Sequence, residues 1–300
     1  MPAPQSPPTR SVITRLRAAG CVFAEDEALL LVSSARTPAD LDAMVDRRAA
    51  GVPLEHVVGW AEFCGLRIAV DPGVFVPRRR TEFLVSQAIA LARQPAGLPG
   101  QPAGFPGRAG GLPGQAGARP RTVVVDLCCG SGAVGAALAA ALHQVELHAA
   151  DIDPAAAACA RRNVAAGGGR VYEGDLYEPL PAGLRGRVQI LAANVPYVPT
   201  EEIRLLPAEA RVHEARVALD GGADGLEVLR RVAAAAAQWL APGGHLLAET
   251  SERQAQRAVE TVALGGLTPR LASSEEMNAT VVIGTRPGRP AGPGPVSGLR

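Results

Sequence analysis

Four consecutive residues, Asn194-Val195-Pro196-Tyr197, have the chemistry to grip a planar amide. They follow the apolar run Val188-Gln189-Ile190-Leu191-Ala192-Ala193, which reads as a buried strand. An Asn at a strand end offers a carbonyl acceptor and an NH2 donor, the complement of another amide. Val195 adds a main-chain carbonyl, and Pro196 restricts the backbone before it to extended conformations, so that carbonyl is held in place. Tyr197 adds an aromatic face able to lie against a planar group or near a cation. Two acceptors converging on one NH2 group would aim its nitrogen at an electrophile. The plainer alternative is an ordinary exit from a strand, where Asn and Pro are common.

Upstream, Asp126-Leu127-Cys128-Cys129-Gly130-Ser131-Gly132 reads as a glycine turn between a strand and a helix, where the chain can approach a ligand closely. Such a turn is shared by nucleotide binders of many kinds. The acid before it discriminates. A pyrophosphate site favours bare N–H groups and positive charge, not Asp126. Asp151 ends the next strand, where a carboxylate could hold a ribose diol, and Asp175 follows the strand after that, where an adenine amino group could donate. Three acids at three strand ends fit an adenosine ligand without phosphates better than a dinucleotide. Asp153, before Pro154, reads instead as a helix cap.

The elements needed to present these residues are legible as strand–helix alternation from Arg121. Strands are expected at 122–127, 145–150, 170–172, 188–193, 245–249 and 279–285, and helices at 133–142, 154–166, 226–240 and 252–264. Such alternation predicts a mostly parallel sheet covered on both faces. Before it, residues 1–58 form a small helical domain, with 1–8 disordered and Thr37-Pro38-Ala39-Asp40 as a helix start. In residues 59–93, Phe63 to Val70 and Val74 to Val76 read as a hairpin turning at Asp71-Pro72-Gly73, followed by a helix from Phe83 to Ala92. The run Arg78-Arg79-Arg80 reads as a solvated surface or a lid over a bound carboxylate. Residues 94–120 carry three Gly/Pro units, AGLPGQP, AGFPGRA and GGLPGQA, and read as a flexible insertion. Residues 121–286 form the ligand-binding domain, and 287–300 a disordered tail.

Composition narrows the partners. The chain has 300 residues, 47% of them hydrophobic and only 3% aromatic, so its core must be built from Ala, Val and Leu. All 30 basic residues are Arg, a codon-usage signature, and the net charge is +1, with no broad basic field for stable nucleic-acid binding. Five Cys without a CxxC pair and scattered His argue against disulfides and metal, and for a reducing cytoplasm. No membrane span or signal peptide is expected, and the protein is expected to act as a monomer.

With these residues in view, the chain resembles class I S-adenosylmethionine-dependent methyltransferases. Within them it is similar to the HemK/PrmC family of protein-(glutamine-N5) methyltransferases, which modify peptide chain release factors. Pro53-Leu54-Glu55-His56, Gly59, Glu62-Phe63, Gly65-Leu66, Val74 to Arg78 and Thr81-Glu82 carry that resemblance in the hairpin region. Asp126 to Gly132, Asp151, Asp175-Leu176, Glu214, Ala218 to Gly222, Asp224 to Leu226, Glu249 and Gln254 carry it in the sheet domain. It implies a Rossmann-like α/β fold with a helical N-terminal domain and a β-hairpin connector. It implies S-adenosylmethionine bound by Asp126, Cys128, Cys129, Gly130, Ser131, Gly132, Asp151, Asp175, Leu176 and Asn194. It implies catalysis by Asn194, Val195, Pro196 and Tyr197 on a glutamine of a release factor. The chain departs from the pattern at Val195, where Pro is usual, at Cys128, where Gly is usual, at Arg79-Arg80 in place of Pro-Glu, and at His56 in place of Tyr. Two other readings stay open: methylation of an adenine-N6 or guanine-N2 amine in nucleic acid, and a non-catalytic cofactor-binding adaptor.

Overall fold

The computed structural model describes residues 7–94 and 121–288. Residues 95–120, nearly all of the expected insertion, and 289–300 of the expected tail lie outside them.

Four helices come first: α1 (Pro7–Ala18), α2 (Ala24–Ser34), α3 (Pro38–Ala49) and the short α4 (Leu54–Val58). Helix α1 begins inside the stretch expected to be disordered. Proline in a first turn forfeits an N–H that has no intrahelical partner anyway, and Val12, Ile13 and Leu16 are buried beyond it against Leu31 and Val45. The anticipated start of α3 is present, with Thr37 accepting from the Asp40 N–H and Pro38 in the first turn.

The hairpin lies earlier than its sequence suggests. Strands β1 (Trp60–Phe63) and β2 (Leu66–Ala69) pair antiparallel with Phe63 opposite Leu66. The two residues between them, Cys64 at φ 50° and Gly65 at φ 72°, both take left-handed backbone, the geometry that matches strand twist in a two-residue turn. Asp71-Pro72-Gly73 does turn, but Val74 to Val76 continues as a buried segment outside any strand, and Gly73 bridges to Glu214. Helix α5 (Glu82–Ala92) follows.

The remainder alternates: β3 (Thr122–Leu127), α6 (Ala133–Ala141), β4 (Val145–Asp151), α7 (Pro154–Val164), β5 (Arg170–Glu173), β6 (Val188–Ala193), α8 (Ala208–His213), α9 (Glu227–Trp239), β7 (Leu240–Thr250), α10 (Ala255–Leu264), β8 (Thr268–Ser274) and β9 (Ala279–Thr285). The sheet order is β5-β4-β3-β6-β7-β9-β8; only β9 runs against the others, so it pairs antiparallel with both β7 and the edge strand β8. Residue alternation sorts its two faces. Val124, Ile190 and Leu247 pack with Leu84 of α5 and Leu138 of α6, while Val125, Leu191 and Leu246 pack with Leu229 and Val232 of α9. Strand β8 was not expected: Thr-Pro-Arg-Leu-Ala-Ser-Ser at a sheet edge is mostly exposed, so it shows no apolar period, and its Pro269 suits an edge. Among the described residues no helix is long and apolar enough to cross a membrane, and no group of three or more His, Cys, Asp or Glu is disposed to hold a metal ion.

Candidate active site

Strand register brings the separated acids and the Asn together. Leu127 of β3 lies beside Ala150 of β4 on one side and Ala193 of β6 on the other. Asp151 and Asn194 are each one residue farther along, so both emerge beside the turn that leaves β3. Ligand crevices in open α/β sheets lie at such carboxyl ends of strands. Here they open into a cavity of about 390 Å³.

The cofactor-facing half is built on the turn after β3. Cys128, at φ 53°, occupies a left-handed conformation that a glycine would adopt more easily. The Gly130 N–H donates to Asp151 Oδ2 at 2.8 Å, and the Asp153 N–H donates to Asp151 Oδ1 at 2.9 Å. Asp151 therefore shapes the turn as well as facing the cavity. Asp126 is 1% exposed and accepts from the Gly135 N–H, in the first turn of α6, at 2.8 Å. Burial pushes its carboxyl up to about 7; the Gly135 bond opposes the shift and the nearby Asp151 adds to it. Burial also raises Asp151, against the bonds from Asp153 and Gly130. Two carboxyls held in poorly hydrated surroundings are complementary to a ligand bringing positive charge and hydroxyl groups.

Of the expected cofactor residues, Asp126, Cys128, Cys129, Gly130, Ser131, Asp151, Asp175, Leu176 and Asn194 line the cavity. Gly132 does not: it faces α7, where an added Cβ would stand 3.0 Å from the Cβ of Ala160. Its small size serves helix packing. Asp175, expected to accept from an adenine amino group, pairs through Oδ2 with Arg231 of α9 at 2.5 Å. The sequence carried no sign of that partner.

The other half is the Asn-Val-Pro-Tyr segment. Among the described residues, Asn194 Oδ1 is buried and has no hydrogen-bond partner, an uncommon and costly condition for an acceptor. Val195 is 2% exposed and packs into the core beneath the cavity, joined there by Leu176 and Leu226. The Tyr197 hydroxyl donates to Glu249 Oε1 at 2.9 Å and accepts from Arg80 Nη2 at 2.6 Å. Burial pushes the Tyr197 phenol well above its ordinary range, with Glu249 acting in the same direction.

The arginine run is partly solvated, with Arg79 and Arg80 exposed, but two of its members also neutralise buried acids of this chain. Arg78 pairs with Glu214 at 2.5 Å, and Arg80 with Glu249 at 2.8 Å. Only Arg79 points to solvent without such a partner among these three.

The segment after α8 clasps this motif from outside. Val198 N–H donates to Leu219 O at 3.1 Å, and Gly221 N–H to Val198 O at 2.9 Å. A Cβ on Gly221 would stand 2.7 Å from Pro196 O, and one on Gly225 would collide with Tyr197 O and with Gln254 Nε2. These glycines allow main chain to lie directly on main chain. A further part of the wall, at Glu209 of α8, reaches the N-terminal helices: Arg48 of α3 bonds both oxygens of Glu27 and, through Nη1, Glu209 at 2.6 Å.

The family model described as "Methyltransferase small domain" matches residues 115–224. The chain is similar to the release factor glutamine methyltransferase of Geobacter sulfurreducens, 33% identical over 247 residues, covering 82% of this chain and 77% of that protein. It is 34% identical to the enzyme of the same name from Streptomyces coelicolor, over 72% of this chain and 70% of that one. It is also 35% identical to a 4-amino-L-phenylalanine/4-methylamino-L-phenylalanine methyltransferase of Streptomyces pristinaespiralis, over 70% of this chain and 65% of that one.

Proposed function

Because the chain belongs to the release factor glutamine methyltransferase family, we propose that it transfers a methyl group from S-adenosylmethionine to the side-chain amide nitrogen of a glutamine in a peptide chain release factor. The observation that carries this reading is Asn194 Oδ1, a buried acceptor without a partner among the described residues, on a residue that lines the cavity. A glutamine NH2 group is the donor it lacks.

The cavity residues fit the cofactor. Asp151 would take the ribose hydroxyls, Asp126 would face the positively charged part, and Leu176 with Asp175 would flank the base. When bound, S-adenosylmethionine supplies an electrophilic methyl on a cationic sulfur. The protein's task is orientation, because an amide nitrogen has a delocalised lone pair and is a poor nucleophile. Asn194 Oδ1 and the Val195 carbonyl accept from the two N–H groups and set the direction of the nitrogen. The same two oxygens favour the positive charge that develops on it. Tyr197 provides the face against which the amide lies. Glu249 already accepts from Arg80, Thr81 and Tyr197, which leaves it poorly placed as a base. An N-methylated amide cation is acidic enough to lose its proton to water.

This reading carries with it a cytoplasmic place of action and a protein substrate. It is tested by incubating the purified chain with labelled S-adenosylmethionine and either a purified release factor or bulk nucleic acid. Label in the release factor, lost when its acceptor glutamine is replaced, is the expected result. Label in nucleic acid alone would replace the proposal by exocyclic-amine methylation, and label in neither would favour the adaptor reading.

A further inference from the structure

Arg80 stands in a closed ring of bonds with the two residues that frame the acceptor side of the cavity. Its Nε donates to Glu249 Oε1 at 2.8 Å and its Nη2 to Tyr197 Oη at 2.6 Å, while Tyr197 Oη donates to the same Glu249 oxygen at 2.9 Å. The guanidinium lies 5.9 Å from the centre of the Tyr197 ring. Thr81 Oγ1 donates to the other oxygen, Glu249 Oε2, at 2.6 Å. The Glu249 side chain is 4% exposed and that of Arg80 44%. All four residues line the cavity.

Two consequences follow from the valence of the phenol. First, Tyr197 is held at both ends: Gln254 Nε2 donates to its main-chain oxygen at 2.9 Å, and Arg80 and Glu249 hold its hydroxyl. The ring plane then has little freedom beyond a flip about its own axis, which leaves the wall unchanged. Second, a phenol has one proton to give and an oxygen that accepts. Donation from Arg80 occupies the oxygen, and the proton goes to Glu249. The hydroxyl is thereby withdrawn as a rival acceptor for an incoming NH2 group, which leaves Asn194 Oδ1 as the side-chain acceptor.

We propose that Arg80 is a positioning residue for methyl transfer, acting through Tyr197: it fixes the ring against which the substrate amide lies and commits the hydroxyl to Glu249, so that the hydroxyl does not compete with Asn194 for the amide N–H groups. The inference rests on the reading of this cavity as an amide-methylating site. Arg80 acts on the alignment of the bound substrate, so its loss lowers kcat more than it alters substrate KM or cofactor affinity.

The experiment is a double-mutant cycle with a spectroscopic arm. Arg80→Met is expected to lower kcat on a purified release factor about tenfold, the scale of one charge-assisted hydrogen bond, with KM changed less than about twofold on the same scale. In a Tyr197→Phe background the same substitution is expected to cost under about twofold, because the hydroxyl it acts through is gone. Arg80→Lys is expected to recover part of kcat, since an ammonium can reach one partner but not fork to both. Thermal melts check that each variant is folded, and Arg80→Lys carries the cycle where Arg80→Met is not. In tyrosine-labelled protein, the Tyr197 ring carbon signal, identified by its loss in Tyr197→Phe, is expected to shift in Arg80→Met without any substrate present. An equal cost of Arg80→Met in both backgrounds, or a Tyr197 signal that does not move, overturns the proposal. Wild-type protein that methylates no release factor counts against the functional reading instead, and the tyrosine signal still reports whether Arg80 holds Tyr197.

Discussion

The Gln254 side-chain nitrogen donates to the main-chain oxygen of Tyr197 at 2.9 Å and to that of Asp224 at 3.0 Å. One amide on the turn before α10 therefore ties the end of the acceptor motif to the glycine segment that overlies it. Gly225 lies in the same contact at φ 74°, with no room for a Cβ. Gly225→Ala is expected to destabilise the protein more than Gln254→Ala, because main chain cannot yield as a side chain can. Gln254→Ala leaves two carbonyls without their donor and is expected to cost about 1–3 kcal/mol. Urea unfolding of the two variants checks the order. Wild-type stability and turnover in Gly225→Ala would mean the segment does not buttress the motif.

Asn194→Ala separates catalysis from stability. The lost oxygen has no partner among the described residues, so the melting temperature is expected to hold or rise, since a buried unpaired acceptor is itself destabilising. Turnover is expected to fall about a hundredfold or more, the scale for removing one group that stabilises developing charge, with cofactor affinity almost unchanged, because Asp151 and the turn after β3 carry most of the cofactor's hold. Val195→Pro keeps the carbonyl and is expected to be tolerated, whereas Tyr197→Ala lowers kcat and raises substrate KM. Near-wild-type methylation by Asn194→Ala would end the clamp reading.

Asp151 holds the cofactor turn as well as facing the cavity. Asp151→Ala is expected to weaken S-adenosylmethionine binding by about 1.5–3 kcal/mol, the value of a charge-assisted hydrogen bond. Asp151→Asn is expected to lose less, because its carbonyl can still accept one of the bonds that Gly130 and Asp153 donate. Calorimetry that finds either variant binding as wild type would remove Asp151 from the site.

Asp126 makes stability depend on pH in a direction unusual for an Asp. Its carboxyl titrates near 3.8 in an unperturbed setting and at about 7 in the folded protein, chiefly through burial. Between those values the folded state keeps a proton that the unfolded state has lost, so this group's contribution falls as pH rises through the window. Asp126→Asn is therefore expected to raise the melting temperature of the cofactor-free protein at pH 8, with a gain that fades towards about pH 4. The same variant is expected to bind S-adenosylmethionine less tightly, having no charge to offer. A stability gain independent of pH would show that Asp126 is not the titrating group.

The sheet was legible because its strands are mostly apolar runs bounded by turn residues: in Val123 to Leu127 only Asp126 is polar and in Val188 to Ala193 only Gln189, and the strand ends carry the acids and the Asn. The hairpin was misplaced because Cys64-Gly65 is a weaker turn signal than Asp71-Pro72-Gly73, although both residues of the real turn take positive φ. Strand β8 left no apolar alternation because it buries little. Arg231 beside Asp175, and Arg80 beside Glu249 and Tyr197, belong to contacts between distant segments. No local spacing encodes such pairs, since an arginine chooses its carboxylate only after the backbone has placed both.

Arg48 gives the cavity wall a particular kind of reversibility. It is almost buried and bonds both oxygens of the equally buried Glu27, while its third partner, Glu209, is 48% exposed. When Glu209 lets go, no bare charge is left inside, because Arg48 remains neutralised and Glu209 meets water. An ion pair of this half-wet kind is worth up to about 1 kcal/mol, so this contact biases the docked wall by a factor of only about five. Breaking this contact alone is therefore expected to cost little, so a substrate that must part Glu209 from Arg48 at the mouth would spend little of its binding energy on it.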